Sequence, residues 1–192
     1  VLPIQLTPFP ELRIERLLLR ELTAADAPTL LVQRSDTRIM QYLDREPDTT
    51  LAETMALLEL IKRNVTDNAG ITWGIVKRGT EDVVIGTIGF WRMIPEHHRA
   101  EIGYGLHPDH WQQGIMSEAM AAVLAFGFQV LKLHSVEANV NPQNEASRRL
   151  LEKHGFVQEA HFRQRYFFRG QFLDSSIYSL LTPEARLHST EA

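Results

Sequence analysis

The 192 residues suffice for one well-buried domain, and a composition 44% apolar and 23% charged is that of a soluble globular protein. Twenty Lys and Arg against 24 Asp and Glu give a net charge of −4, which argues against a nucleic-acid partner, and zero cysteines exclude disulfides, thiolate-bound zinc and a cysteine nucleophile. No apolar run approaches the roughly 18 residues of a membrane span, so no membrane partner is expected, and the cytoplasm is the expected location.

Residues 1–12 carry Pro3, Pro8 and Pro10 and read as a loose lead-in. Arg13–Arg20, centred on Leu17-Leu18-Leu19, reads as a strand, and Thr23-Ala-Ala-Asp26 as a capping box opening a helix towards Gln33. Asp36–Thr49 is a polar connection carrying Met40, Tyr42 and Leu43. Thr50-Leu-Ala-Glu53 is a second box, with Leu51, Met55, Leu58 and Ile61 at helical spacing behind it. Ile71–Lys77 and Val83–Met93 are predicted strands joined through 78–82, and Ala100–Leu106 is the next. A helix from about Gln113 to Leu131 follows, apolar at Ile115, Ala119, Val123, Phe126 and Val130. Ser135–Val140 is a short strand. Asn141 is the expected N-cap of the next helix, with Pro142 at its first position and Lys153-His154-Gly155 at its end. Phe156–Phe168 and Gln171–Leu181 alternate around Arg169-Gly170 as a hairpin, and the last ten residues read as a frayed tail. Nothing divides the chain, so residues 1–192 form a single α/β domain with an ordered core of about 13–182.

The chemistry concentrates in Ala100–Gly127. Strict alternation puts Glu101, Gly103 and Gly105 on one face of a strand and Ile102, Tyr104 and Leu106 on the other. Glycines inside a strand mark close approach by a ligand or another backbone. The strand leads into Trp111-Gln112-Gln113-Gly114 and a helix N-terminus, whose free N–H groups suit an anion. A bare slot beside one carboxylate, ending at an anion site, fits a long ligand with a phosphate at one end.

The segment AEIGYGLHPDHWQQGIMSEAM resembles the acyl-CoA-binding motif of the GNAT superfamily of N-acetyltransferases, closest to its RimJ/RimL-like branch. Glu101, Ile102, Gly103, Tyr104, Leu106, Pro108, Trp111, Gly114, Glu118 and Ala119 match that motif. A second block, Asn141-Pro-Gln-Asn144-Glu-Ala-Ser147 through Glu152-Lys-His-Gly155-Phe156, resembles the branch's N-x-x-N-x-x-S…E-K-x-G-F. Asp36–Leu43 and Phe172-Leu-Asp174…Tyr178 add to the likeness, which spans most of the chain in order. It implies a mixed, mostly antiparallel sheet flanked by helices. It also implies acetyl transfer from acetyl-CoA, as co-substrate, to the primary amine of a protein N-terminus or small molecule. A homodimer is the assembly implied. Two departures stand out: Gln112 replaces the branch's first elbow glycine and Met116 its following small residue, so both could crowd the phosphates.

The resemblance places the cofactor along Leu106, Gln112, Gln113, Gly114, Ile115, Met116, Ser117, Asn141 and Asn144. Asn144 would contact the CoA arm, and Ser147, one turn on, would sit near the thioester sulfur to protonate the leaving thiolate. Both are open to plainer roles on a helix surface. A backbone N–H around Leu106 would meet the developing oxyanion. Glu101 is the candidate base, acting directly or through water, with an ion pair to Arg99 or Arg92 as the alternative. An α-amine with pKa about 7.7–8.0 needs little such help, whereas a lysine near 10.4 needs much more. Without cysteine an acetyl-cysteine relay is ruled out and a ternary complex is the simple route. Trp73, Trp91, Tyr104 and Tyr166 are aromatic candidates for an acceptor pocket, with a place in the core as the plainer alternative, and Tyr42 falls where the family's acceptor site is bordered. His97, His98, His107 and His110 lie in loops without fixed ligand geometry, so no metal is expected. The alternative to an enzyme is a non-catalytic acyl-CoA-binding or interaction protein with this fold.

Overall fold

The computed structural model describes residues 2–80 and 82–189. Eight strands form one sheet in the order β1-β2-β3-β4-β5-β6-β8-β7. These are β1 (Leu12–Arg13), β2 (Leu17–Arg20), β3 (Ile71–Lys77), β4 (Val84–Ile94), β5 (Arg99–Leu106), β6 (Ser135–Val140), β7 (Val157–Phe168) and β8 (Gln171–Leu181). Every pairing is antiparallel except β5 with β6. The helices are α1 (Ala27–Ser35), α2 (Thr37–Met40), α3 (Leu51–Thr66), α4 (Ile115–Gln129), α5 (Glu145–Lys153) and α6 (Pro183–Ser189).

The sheet separates two apolar layers. On one face α4 and α5 cover Leu19, Trp73, Ile75, Ile88, Phe90 and Ile102; on the other α1 and α3 cover Leu18, Val76 and Val84 through Ala27, Leu30 and Leu58. The Thr50 box is realised, with Glu53 Oε2 accepting the Thr50 N–H at 3.0 Å and Thr50 Oγ1 accepting that of Glu53 at 3.4 Å. No described helix is long and apolar enough to cross a membrane.

Four expectations change. The lead-in is structural: Leu6 is fully buried, worth about 2 kcal/mol of apolar transfer, and the Trp73 indole N–H donates to Pro10 O at 2.6 Å. The first strand is two, because a tight turn (Ile14 N–H to Leu17 O, 3.0 Å) folds β1 back on β2 and leaves Arg16 at its end. The buried stripe of α3 is Thr54, Leu58 and Val65, and Leu51 is exposed, since Thr54 is needed inward to reach Asp48 at 2.9 Å. Within the expected tail, 183–189 are helical; Val1, Glu81 and 190–192 lie outside the described residues.

Candidate active site

The β5–β6 pairing stops early. Only Arg99–Glu101 align with Ser135–Glu137. Beyond them β5 stays with β4 as far as Leu106 opposite Gly86, while β6 stays with β8 as far as Val140 opposite Ser176. The sheet therefore splits into a wedge along Ile102–Leu106, and one backbone edge of β5 is left without a strand partner. A Cβ built on Gly105 would meet nothing within 4 Å, so this stretch of β5 is open on the Glu101 face.

At the mouth of the wedge β5 turns through Pro108–His110 into α4. The Trp111 indole N–H donates to Leu106 O at 2.7 Å and pins the elbow to the strand. Gln112 and Gly114 both take left-handed backbone, φ +58° and +74°. Gln112 thus adopts the conformation that suits a glycine, at a cost of about 1 kcal/mol. Met116, partly buried, packs against the main core. The N–H groups of Gln112, Gln113, Gly114, Ile115, Met116 and Ser117 make no hydrogen bond to a described residue; that of Glu118 is the first to find one, at Gly114 O, 3.0 Å.

A group of charged residues that sequence reasoning missed, Arg16, Lys77 and Arg78 with Glu15 among them, lies beside these amides at Gln113 and Ile115. Arg16 donates through Nε to Glu118 Oε2 at 2.6 Å and through Nη1 to Gln113 O at 3.1 Å. With Lys77, Arg78, Gln113 and Ile115 it lines a cavity of about 380 Å³. The signal was a long-range one: Arg16 and Glu118 are 102 residues apart, and only the sheet order brings them together. Behind the first turn of α4, Ser117 Oγ meets His154 Nε2 at 3.0 Å, and burial beside Lys153 pushes that imidazole below its ordinary value.

On the other wall Asn144, not Asn141, caps α5, its Oδ1 accepting the Ser147 N–H at 3.1 Å. Asn141 closes a turn instead, accepting from the Gln143 N–H at 2.9 Å. Pro142 then falls inside that turn and the helix starts later. Ser147 Oγ lies 2.7 Å from Tyr104 Oη. Burial pushes the Tyr104 phenol up to about 12, so it stays protonated. Tyr104 is therefore gathered to Ser147, three residues along β5 from Glu101 and on the opposite face.

Glu101 is half-buried, and burial raises its carboxyl above the ordinary value; Arg92 draws it down, Glu137 adds to the rise and Arg165 draws it down. Arg99 pairs with Glu137 at 2.7 Å, so among the described residues Glu101 has no ion-pair partner. Trp91 sits at the β4 bulge, half-exposed, with its ring over Gly103. Tyr166 Oη accepts from Asn139 Nδ2 at 2.7 Å, placing the β7 aromatic beside the β6 side of the wedge. Tyr42 lies in the turn after α2, in a loop tied to the β7–β8 tip by Glu46 and Arg169. Asn139 gave no sequence signal, because it acts through a partner on another strand, and Arg169 was legible as the β7–β8 turn but not as the partner of Glu46.

A family model described as an acetyltransferase (GNAT) domain matches residues 16–157. The chain is 37% identical to the uncharacterised N-acetyltransferase YoaA of Bacillus subtilis, over 91% of this chain and 98% of that protein. It resembles the solved structure of a Vibrio cholerae spermidine N-acetyltransferase in complex with CoA and spermine, with TM-score 0.76 and 26% identity over 86% of this chain and 95% of that one. A ribosomal L7/L12 α-N-protein acetyltransferase in complex with coenzyme A shares the fold, with TM-score 0.81 and 21% identity over 90% and 98% of the two chains.

Proposed function

The chain belongs to the GNAT acetyltransferase family and is an acetyl-CoA-dependent acyltransferase; on that premise we propose that it moves the acetyl group directly, in a ternary complex, to a primary amine on a protein N-terminus or a small molecule. The observation that carries this reading is the wedge between β5 and β6, with a run of free backbone amides at its mouth. A strand edge without a partner strand and a helix start without a ligand are costly unless water or a ligand satisfies them.

In this reading the amides of Gln112–Ser117 hold the pyrophosphate of acetyl-CoA, with Leu106 and Asn141 on the way in. Asn144 spends its oxygen on the cap and keeps its Nδ2 for the CoA arm. The acceptor amine loses a proton to Glu101, directly or through water, and its nitrogen bonds to the acetyl carbon as the carbon–sulfur bond breaks. Ser147, backed by Tyr104, gives its hydroxyl proton to the departing thiolate and takes one back from solvent, while Glu101 later releases the amine's proton to solvent, so the products are the amide and the free thiol. Burial suits Glu101 to this role, because a raised pKa makes a stronger base. The sign follows: the base must be ionised, so the rate falls as pH drops through that raised value.

The test is thiol release from acetyl-CoA across N-terminal peptides, lysine peptides and polyamines. The protein's own lack of cysteine keeps that readout clean. Turnover is expected on at least one primary amine, with a 10- to 100-fold loss on Glu101→Gln. Acetyl-CoA binding without release on any amine, or an unchanged rate in the variant, would sink the reading.

A further inference from the structure

The charges on the Glu101 face do not cancel. After the bulge at Trp91, Arg92 stands directly opposite Glu101 in the β4–β5 register, so both side chains leave the same face of the sheet. Arg165 arrives from the far edge. The β7–β8 register slips between Phe162 and Tyr166, where Gln164 takes φ +54° and its N–H is held by Asp174 Oδ1 at 2.8 Å. The guanidinium of Arg165 then stacks 4.4 Å from the Phe162 ring centroid and 5.7 Å from that of Tyr166. Both arginines act on Glu101, drawing its carboxyl down against its burial.

Neither arginine is spent elsewhere among the described residues. The other cation of this row, Arg99, is committed to Glu137, which neighbours Glu101 across β6. On β8 the carboxylate of Asp174 is committed to His161 at 2.8 Å. The Glu101 carboxylate therefore faces two guanidinium groups that have no ion pair of their own among the described residues, so an acceptor entering beside Glu101 meets more positive than negative charge.

We propose that the preferred acceptor is a monoamine with an anionic group close to the reacting nitrogen, its charge met by Arg92 and Arg165: an acidic amino acid, or a peptide α-amine followed by an acidic residue. The proposal rests on the acetyltransferase reading above and goes beyond it by choosing among amines. A polyamine would bring second and third ammonium groups against the same arginines and is disfavoured. Two nearby cations also lower the pKa of the incoming amine, raising its neutral, nucleophilic fraction at neutral pH. Contact with the Phe162 and Tyr166 rings restrains the planar Arg165 fork, which can meet a carboxylate bidentately.

The experiment measures kcat/KM by thiol release for paired peptides Ala-Asp-Ala-Ala and Ala-Lys-Ala-Ala, for glutamate and glutamine, and for spermidine, at low and high salt. The acidic peptide is expected to exceed the basic one at least tenfold at low salt, with the margin shrinking as salt rises. Arg165→Glu is expected to invert the order, and Arg165→Gln to bring the peptides within about threefold. Glutamate above the acidic peptide identifies a free amino acid as the acceptor; the reverse identifies a peptide. Equal rates for the two peptides, a preference for spermidine, or a ratio unmoved by Arg165→Glu overturns the proposal while leaving the acetyltransferase reading standing. Thiol release with none of these or any other amine overturns both.

Discussion

A serine hydroxyl is a poor acid, and its usefulness to a leaving thiolate depends on where its single proton points. Tyr104, 2.7 Å from Ser147 and protonated throughout the physiological range, can fill one Ser147 lone pair and free the serine proton for another acceptor. If the two hydroxyls act as one unit, their deletions are not additive. Ser147→Ala is expected to lower kcat about tenfold with little change in KM, since a thiol of pKa about 8.5 already leaves readily. Tyr104→Phe is expected to lower kcat about threefold alone and to add almost nothing to Ser147→Ala. A full further threefold loss in the double variant would show that the Tyr104 hydroxyl acts independently of Ser147.

The anion site belongs to an element, the first turn of α4, and an acidic residue lies in that turn. Glu118 is favourable to the helix dipole but adverse to a bound phosphate. Arg16 resolves the conflict by clamping the carboxylate at 2.6 Å and bracing the elbow through Gln113 O. Arg16→Gln is expected to weaken acetyl-CoA binding about tenfold, or about 1.4 kcal/mol, in titration calorimetry. Glu118→Gln on that background is expected to recover most of it. If the double variant binds no better than the single, Arg16 acts on the phosphates as a cation in its own right. Of this element the sequence made the elbow and the apolar face of α4 legible, because both are written in local spacing. Arg16 was not legible, since its partner Glu118 lies on a helix 102 residues further along the chain, and the left-handed backbone of Gln112 was not, because a φ angle is invisible in the letters.

At the scale of the whole molecule, α1 and α3 are fastened to their side of the sheet by polar as well as apolar contacts. The strands and the helical layers could be read from periodicity, and β6 and the β7–β8 hairpin were legible nearly to the residue. The wedge could not, because it depends on β6 parting from β5 beyond Glu137 while its other edge stays with β8. Nor could the inward turn of Thr54, which serves Asp48. That carboxylate is buried and takes two bonds from Arg34, at 2.5 and 3.0 Å, besides the Thr54 hydroxyl. Asp26 is likewise buried and held by Arg20 at 2.8 and 2.9 Å. Burial pushes both carboxyls up, but the hydrogen bonds win and hold each below the ordinary carboxylate value. A depressed folded pKa means stability that is present in full above the unfolded value, about 3.9, and is lost as pH falls through the folded one. Urea midpoints are therefore expected to hold level from pH 7 to about 5 and to drop steeply below about 4. Asp48→Asn is expected to cost about 2 kcal/mol at pH 7 through the charged bonds it gives up, and progressively less towards pH 3. Midpoints for the wild type and the variant that stay parallel across that range would mean that the folded Asp48 carboxyl titrates as in the open chain, and that its bonds to Arg34 and Thr54 are not what fastens α3 to α1.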